Sequence, residues 1–326
     1  KLVNFLANVF LDTNLTDMMT GYKAFKSEVL KKITLEADGF GIEAEITAEV
    51  FKRKLRVYEV PISYSGRTYD EGKKIKGQDF FTIVYWLAKS FLRGIDVGSD
   101  TLFKMRLMQN YNRWLYKKLK PFLGKRILEI GSGIGTISNY LVSKDRNIIL
   151  TEINDDYINY LKDRYISNPF VTIFKNNINE KSSLLEEQKV DSVVCLNVLE
   201  HIEDDRKALK NMEDLLVEGG HLLLIVPAHK MLFSDFDKLI GHLRRYSKKE
   251  LEVKLKEAGF EIEQQKYINF LGALAWVIEY KILHGKKMSS LKVILFDKVF
   301  FLFVEFIERY ISWPFGLSLF VIARKK

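Results

Sequence analysis

The residues with the clearest chemical potential lie in one run, Glu129-Ile130-Gly131-Ser132-Gly133-Ile134-Gly135, directly after the apolar stretch RILEI. Alternating glycines let the backbone turn sharply and approach a ligand, and a helix opening at such a loop presents free N–H groups to it. Glu152 closes the next β-rich run, NIILTE, 21 residues after Gly131. There an acidic side chain can accept hydrogen bonds from both hydroxyls of a ribose. A nicotinamide-binding loop would read G-x-G-x-x-G or end in alanine, whereas here Thr136 holds the last position. The loop therefore favours another adenosine cofactor.

These groups need a scaffold, and the chain from Arg126 onward supplies its pattern. Short runs rich in Val, Ile and Leu at 126–130, 147–153, 170–176, 190–197 and 221–227 alternate with helical stretches, the signature of a parallel sheet buried on both faces. Two further strands are expected at 260–268 and 316–325, separated by a helical insertion at about 269–315. Within it, Asp297, Lys298, Glu305, Glu308 and Arg309 share one helical stripe and leave a wide apolar face with Phe300 and Phe303. That face either packs on protein or meets lipid.

The chain has 326 residues, 47% hydrophobic and 29% charged, which excludes a disordered, collagen-like or coiled-coil chain and predicts about two domains. Cys195 is the single cysteine, so an intrachain disulfide is excluded, and no Cys/His spacing resembles a zinc site. A reducing, cytoplasmic compartment is expected. The uncharged stretches 267–278 and 310–323 are too short to span a bilayer. Lys1 opens inside an apolar run, so a natural start upstream of it is expected. The net charge of +9 is local: residues 101–126 carry 8 Lys+Arg and no Asp or Glu, while the flanking parts balance. That stretch reads as a basic amphipathic helix up to Pro121, covering a domain edge, lying on an anionic membrane or binding nucleic acid. Nucleic acid ranks last, because neither flank extends a basic footprint.

The glycine loop, the acidic end of the second strand and LNVLEHIEDD at 196–205 together resemble a class I S-adenosylmethionine-dependent methyltransferase. The resemblance implies a Rossmann-like, mostly parallel seven-stranded α/β sheet and S-adenosyl-L-methionine as cofactor. It places Glu129, Gly131, Ser132, Gly133 and Gly135 at the methionine end, Glu152 at the ribose, and Asn177 and Ile178 beside the adenine. Asn177 stands where an aspartate is more usual. Asn197, Leu199, Glu200 and His201 would follow the fourth strand at the cofactor's edge. Glu203, Asp204 and Asp205 read as helix capping, and no metal is expected. Cys195 reads as a core residue.

After the fifth strand, PAHKMLFSDFDKLIGHLRRYSKKEL (227–251) should lie over the carboxyl edge of the sheet. It offers His229 or His242 as catalytic base or acceptor anchor, with Arg244, Arg245 and Tyr246 holding an anionic or sugar acceptor. A surface loop ending in a helix cap at Ser247 is the alternative.

Residues 1–95 resemble the carboxyl-terminal half of family 2, dolichol-phosphate-mannose-synthase-like glycosyltransferases, a partial GT-A fold. The turn at Asp17, Thr20 and Gly21, the helix with Glu43 and Glu45, a strand EVPISY (59–64) and a basic loop from Arg67 to Lys74 occur in order. The resemblance puts Asp17 and Glu43 near a sugar acceptor and Arg67, Lys73 and Lys74 near donor or lipid phosphates. No Asp-x-Asp of the nucleotide-sugar kind accompanies them, so no glycosyl transfer is expected from this chain alone. The expected organisation is a glycosyltransferase piece (1–95), a basic connector (96–122) and a methyltransferase domain (123–326). The fusion predicts a small-molecule or glycolipid acceptor and peripheral contact with the inner face of a membrane. A non-catalytic membrane scaffold and a nucleic-acid methyltransferase are the rival readings.

Overall fold

The computed structural model describes all residues except 1, 12, 31, 32, 34, 54, 56, 64–76, 78, 93–96, 181, 183, 184, 186, 286, 287, 311 and 312. The chain forms two compact units, Lys1–Asp100 and Thr101–Lys326.

The second unit is built on seven strands: β1 Arg126–Ile130, β2 Asn147–Glu152, β3 Val171–Lys175, β4 Val190–Leu196, β5 Leu216–Pro227, β6 Phe260–Ile268 and β7 Ser318–Lys325. Their order is β3-β2-β1-β4-β5-β7-β6. The first five run parallel, and β7 inserts antiparallel between β5 and β6. Alternation along the strands sends Leu128, Ile130, Val193, Cys195, Leu222 and Leu224 to one apolar core, and Ile127, Ile148, Leu150, Val194, Leu223 and Ile225 to the other. Burial on both faces explains the near-continuous aliphatic runs. β5 starts at Leu216, five residues before the expected 221, because Gly219 at φ +76° accommodates an irregularity in its pairing with β4.

The basic stretch is two helices, Val97–Arg106 and Gln109–Leu119, rather than the single helix expected. The second buries Tyr111, Trp114, Leu115 and Leu119, and Tyr111 and Trp114 each meet the Phe301 ring edge-on at 5.3 Å. It is thus a packing element of the unit, with Lys117 outward and Lys118 half-buried over the Trp114 ring.

The insertion between β6 and β7 holds helices Phe270–Trp276 and Ser290–Leu295 to Phe301–Tyr310, interrupted by wider π turns at Val277–Ile282 and Phe296–Phe300. The acidic residues of its charged stripe face the protein, while Lys298 is exposed. Asp297 is fully buried, and its carboxylate accepts the N–H groups of Asn110 (3.1 Å) and Tyr111 (2.9 Å). Glu305 pairs with Lys117 at 3.0 Å, and Glu308 accepts the Phe270 N–H. The apolar face is left outward: Phe303 is 61% and Phe306 66% exposed, with Phe300, Leu291, Ile282 and Leu283 also exposed. Among the described residues no helix is long and apolar enough to cross a membrane.

The first unit packs helices Leu2–Leu11, Gly41–Lys52 and Asp79–Leu92 around Ala7, Met18, Ala44, Ala48, Ile83 and Leu87. The expected strand at 59–64 does not form over its described part. Residues 59–63 are irregular and exposed, since no described strand in this unit offers them a ladder. Glu59 instead accepts the N–H groups of Thr16 and Asp17.

Candidate functional site

At the carboxyl end of β1 the loop glycines Gly131, Gly133 and Gly135 have φ of +66°, +54° and +72°. A side chain at Gly131 would put its Cβ 2.5 Å from Val198 Cγ2, so the loop and the β4–helix turn can pack only around glycine. At Gly133 a Cβ would meet only Leu102, at 3.6 Å, leaving that side of the loop as a cradle for an incoming group.

Glu152 clamps this loop. Its Oε2 accepts the Gly133 N–H at 2.8 Å, and its Oε1 accepts those of Ile153 (2.8 Å) and Asn154 (3.0 Å). One carboxylate offers about four acceptor directions, so Oε2 retains capacity for a ribose hydroxyl. Glu129 is buried, accepts the Ser138 hydroxyl, and is pushed up to about 7 by burial. Ser132 is buried, its N–H given to Thr151. This arrangement fits an adenosyl cofactor with a cationic amino acid end: a carboxylate for the ribose, a bare glycine turn, and a buried carboxyl that a cation would ionise.

Beyond β3, Asn177 is exposed and its Oδ1 accepts the Asn179 N–H. Ile178 is buried in the core, its carbonyl accepting from Asn211. Asn197 stands exposed at φ +54°. The side chain of Leu199 corrects its expected role, being wholly inside the apolar core and able to offer a ligand only its backbone. Cys195 is buried and burial pushes its thiol up, as a core residue requires. Asp204 caps the helix Asp205–Leu215 through the Lys207 N–H.

The segment after β5 departs further from expectation. Arg245 is 2% exposed, paired with Asp237 at 2.9 Å and stacked over Trp276. Tyr246 is fully buried, its hydroxyl donating to Asp205. Both are structural and cannot present themselves to an acceptor, because the loop folds its charged and aromatic residues inward onto Asp237 and Asp205. Arg244 is half-buried, bound to Asp205 and the Glu203 carbonyl. His229, at φ +60°, is stacked between Tyr267 (4.4 Å) and Phe315 (4.2 Å), with Nε2 lacking a partner; burial holds it below the usual imidazole range.

His242 is placed differently. Its Nδ1 lies 2.9 Å from Asp237 Oδ1, and its Nε2 lies 3.6 Å from Oε1 of Glu200. His201 packs edge-on to it at 4.7 Å, its own Nδ1 bound to the Gly241 carbonyl. Burial pushes Glu200 up to about 7, and neither of its oxygens has a hydrogen-bond partner. The Glu200–His242 meeting escaped the sequence reading because 42 residues separate them, although the adjacency of Glu200 and His201 to the fourth strand was visible.

In the first unit, Lys23 ties the turn after Asp17 to Glu43. Its ammonium donates to the Met18 and Thr20 carbonyls and pairs with Glu43. Asp17 is exposed and its Oδ1 accepts the Met19 N–H. Arg67, Lys73 and Lys74 lie outside the described residues.

Strand order, glycine loop and carboxylate together define a Rossmann-like methyltransferase fold, and residues 104–265 match the family model described as a methyltransferase domain. The Thr101–Lys326 unit is therefore an S-adenosyl-L-methionine-dependent methyltransferase domain, an enzyme domain by class. The chain is 27% identical over 145 residues to probable polyketide synthase 40 of Dictyostelium discoideum, covering 37% of this chain and 6% of that protein. It is 31% identical over 84 residues to an undecaprenyl-phosphate mannosyltransferase of Micrococcus luteus, covering 24% of this chain and 35% of that one. It thus spans a small part of the length of either relative. Among solved structures, an S-adenosylmethionine-dependent methyltransferase of Clostridium acetobutylicum aligns with TM-score 0.45 and 11% identity over 67% of this chain and 92% of that chain.

Proposed function

We propose that the protein methylates a glycan or lipid-linked sugar at a membrane surface, and that residues 1–95 are the carboxyl-terminal piece of a family 2 glycosyltransferase fused to the methyltransferase domain. The observation that carries methyl transfer is the glycine loop held by Glu152, with its cradle at Gly133. When bound, S-adenosyl-L-methionine supplies an activated methyl group. The chain's part is alignment and exclusion of water, which can contribute about 7 to 11 kcal/mol. Glu152 would hold the ribose, the loop backbone the amino acid end, and Glu129 its cationic amine.

The sugar-lipid acceptor is supported by the mannosyltransferase match and by a second, 43% identical over 51 residues, to glycosyltransferase AglJ of Haloferax volcanii. Membrane contact is supported by the outward aromatic face of the insertion, because exposed Phe and Leu side chains beside Lys298 suit the interface between headgroups and acyl chains.

The test is transfer of radiolabelled methyl from S-adenosyl-L-methionine to polyprenyl-phosphate-linked sugars, water-soluble oligosaccharides and RNA. Label in the lipid-linked fraction is expected. Label confined to RNA would overturn the acceptor class, and cofactor binding without any transfer would favour the scaffold.

A further inference from the structure

We propose that Glu200, His201 and His242 form a site for a first-row divalent metal ion. One donor atom from each lies within 4.8 Å of the other two. Three independent features make this a prepared site rather than a chance grouping.

The first is the state of the imidazoles. Asp237 Oδ1 and the Gly241 carbonyl can only accept hydrogen bonds, so the Nδ1 atoms of His242 and His201 facing them carry the protons. In that tautomer each Nε2 keeps its lone pair, and that is the nitrogen a metal takes. A carboxylate behind a ligating imidazole is the recurrent support of such ligands.

The second is Glu200. It is fully buried, yet neither carboxylate oxygen has a hydrogen-bond partner, and Oε1 points toward His242 Nε2 at 3.6 Å. A buried carboxylate without donors is costly unless a cation joins it. Arg245 does not serve it, being committed to Asp237 and the Trp276 face.

The third is position. Glu200 and His201 sit on the short helical turn Leu199–His201, directly beyond β4, at the carboxyl edge where open α/β sheets bind ligands. His201 is exposed on its outer side, so an ion there keeps open coordination positions for water or an acceptor oxygen; only that last role rests on the methyl-transfer reading. Bonds of about 2.0 to 2.2 Å bring ligand atoms to about 3 to 3.5 Å apart, a closure within reach of side-chain rotation. Two imidazoles and one carboxylate favour manganese through zinc over calcium or magnesium.

The experiment titrates the purified full chain, stripped with chelator, with Mn2+, Co2+ and Zn2+ by calorimetry, following Co2+ also by its visible absorption. One ion per chain is expected at micromolar or tighter affinity, with Co2+ bands of imidazole–carboxylate ligation. Affinity should fall at least tenfold in Glu200→Gln, His201→Ala and His242→Ala, and hold in His221→Ala, which removes a histidine elsewhere. Absence of stoichiometric binding at millimolar metal in the wild-type chain would overturn the proposal, as would binding that all three variants retain. The wild-type titration stands even where a variant fails to fold. Cofactor binding measured on the stripped chain separates failure of the metal site from failure of the methyltransferase reading.

Discussion

Glu152→Ala tests whether the carboxylate at the end of β2 serves a ligand or only its own loop. In the structure it is 7% exposed and accepts three backbone N–H groups at 2.8 to 3.0 Å. Water can enter at the loop and take over part of that role, so the unliganded domain should lose about 1.5 to 3 kcal/mol, comparable to one charge-assisted hydrogen bond. For a domain of this size each kcal/mol moves Tm by about 2 to 4 °C, giving a drop of about 3 to 12 °C. Losing the ribose contact should separately weaken S-adenosylhomocysteine binding about 10- to 100-fold. Both are read on the same preparation, by thermal melting without ligand and by titration calorimetry with it. A lowered Tm with unchanged Kd would refute the ribose assignment and leave Glu152 as a loop clamp alone.

Gly131→Ala should destabilise the fold by about 1 to 3 kcal/mol in a denaturant titration, because φ is +66° and the new Cβ would meet Val198 at 2.5 Å; Val198→Ala should recover part of the loss. Glu129 has a folded-state value raised from 4.5 to about 7, so the folded state binds the extra proton and stability falls as pH rises through that window. Glu129→Gln should therefore gain stability relative to wild type between pH 5 and pH 8, by up to about 3 kcal/mol in paired melts, and equal differences at both pH values would refute it. Arg245→Ala should cost about 3 to 5 kcal/mol, measured by chemical denaturation, by taking the guanidinium from the buried Asp237 carboxylate and leaving it only the hydrogen bonds of Ser234 and His242. Phe300→Asp and Phe303→Asp should reduce co-sedimentation with anionic liposomes while leaving the far-UV spectrum unchanged, and undiminished binding would remove the membrane contact.

What the residues disclosed depended on range. β1 to β4 follow from short runs rich in Val, Ile and Leu, and Glu152 from its place at the end of one of them. The groups around Asp237 were not legible in the same way. Arg244, Arg245 and Tyr246 looked available because basic and aromatic residues in a loop usually face solvent. Here Asp237 and Asp205, both inside the fold, draw Arg245 and Tyr246 inward. Likewise the histidines at 201 and 242 gain their meaning from contacts across 41 residues, and no local spacing records the tautomers that Asp237 and the Gly241 carbonyl impose.

The insertion shows the strongest conflict between pattern and environment. A stripe of Asp297, Glu305 and Glu308 on an otherwise apolar helix predicts the apolar face inward, since burial yields about 25 cal/mol per Å2. The helix instead turns its acids inward beside Phe301 and Val304 and leaves Phe303 and Phe306 outside. The first N–H groups of the helix Gln109–Leu119 have no intrahelical partner, and buried orphan amides cost about 1 to 3 kcal/mol each; Asp297 satisfies two of them, while Glu308 satisfies the Phe270 N–H. Satisfying buried donors thus fixes which face turns inward, and the aromatic face is what remains outside. In water that face is unfavourable, and the proposed membrane contact rests on it. Asp297→Ala discriminates this account: it should lower stability by about 2 to 4 kcal/mol in chemical denaturation, through two unsatisfied amides. A loss below about 0.5 kcal/mol would show that capping does not orient the helix.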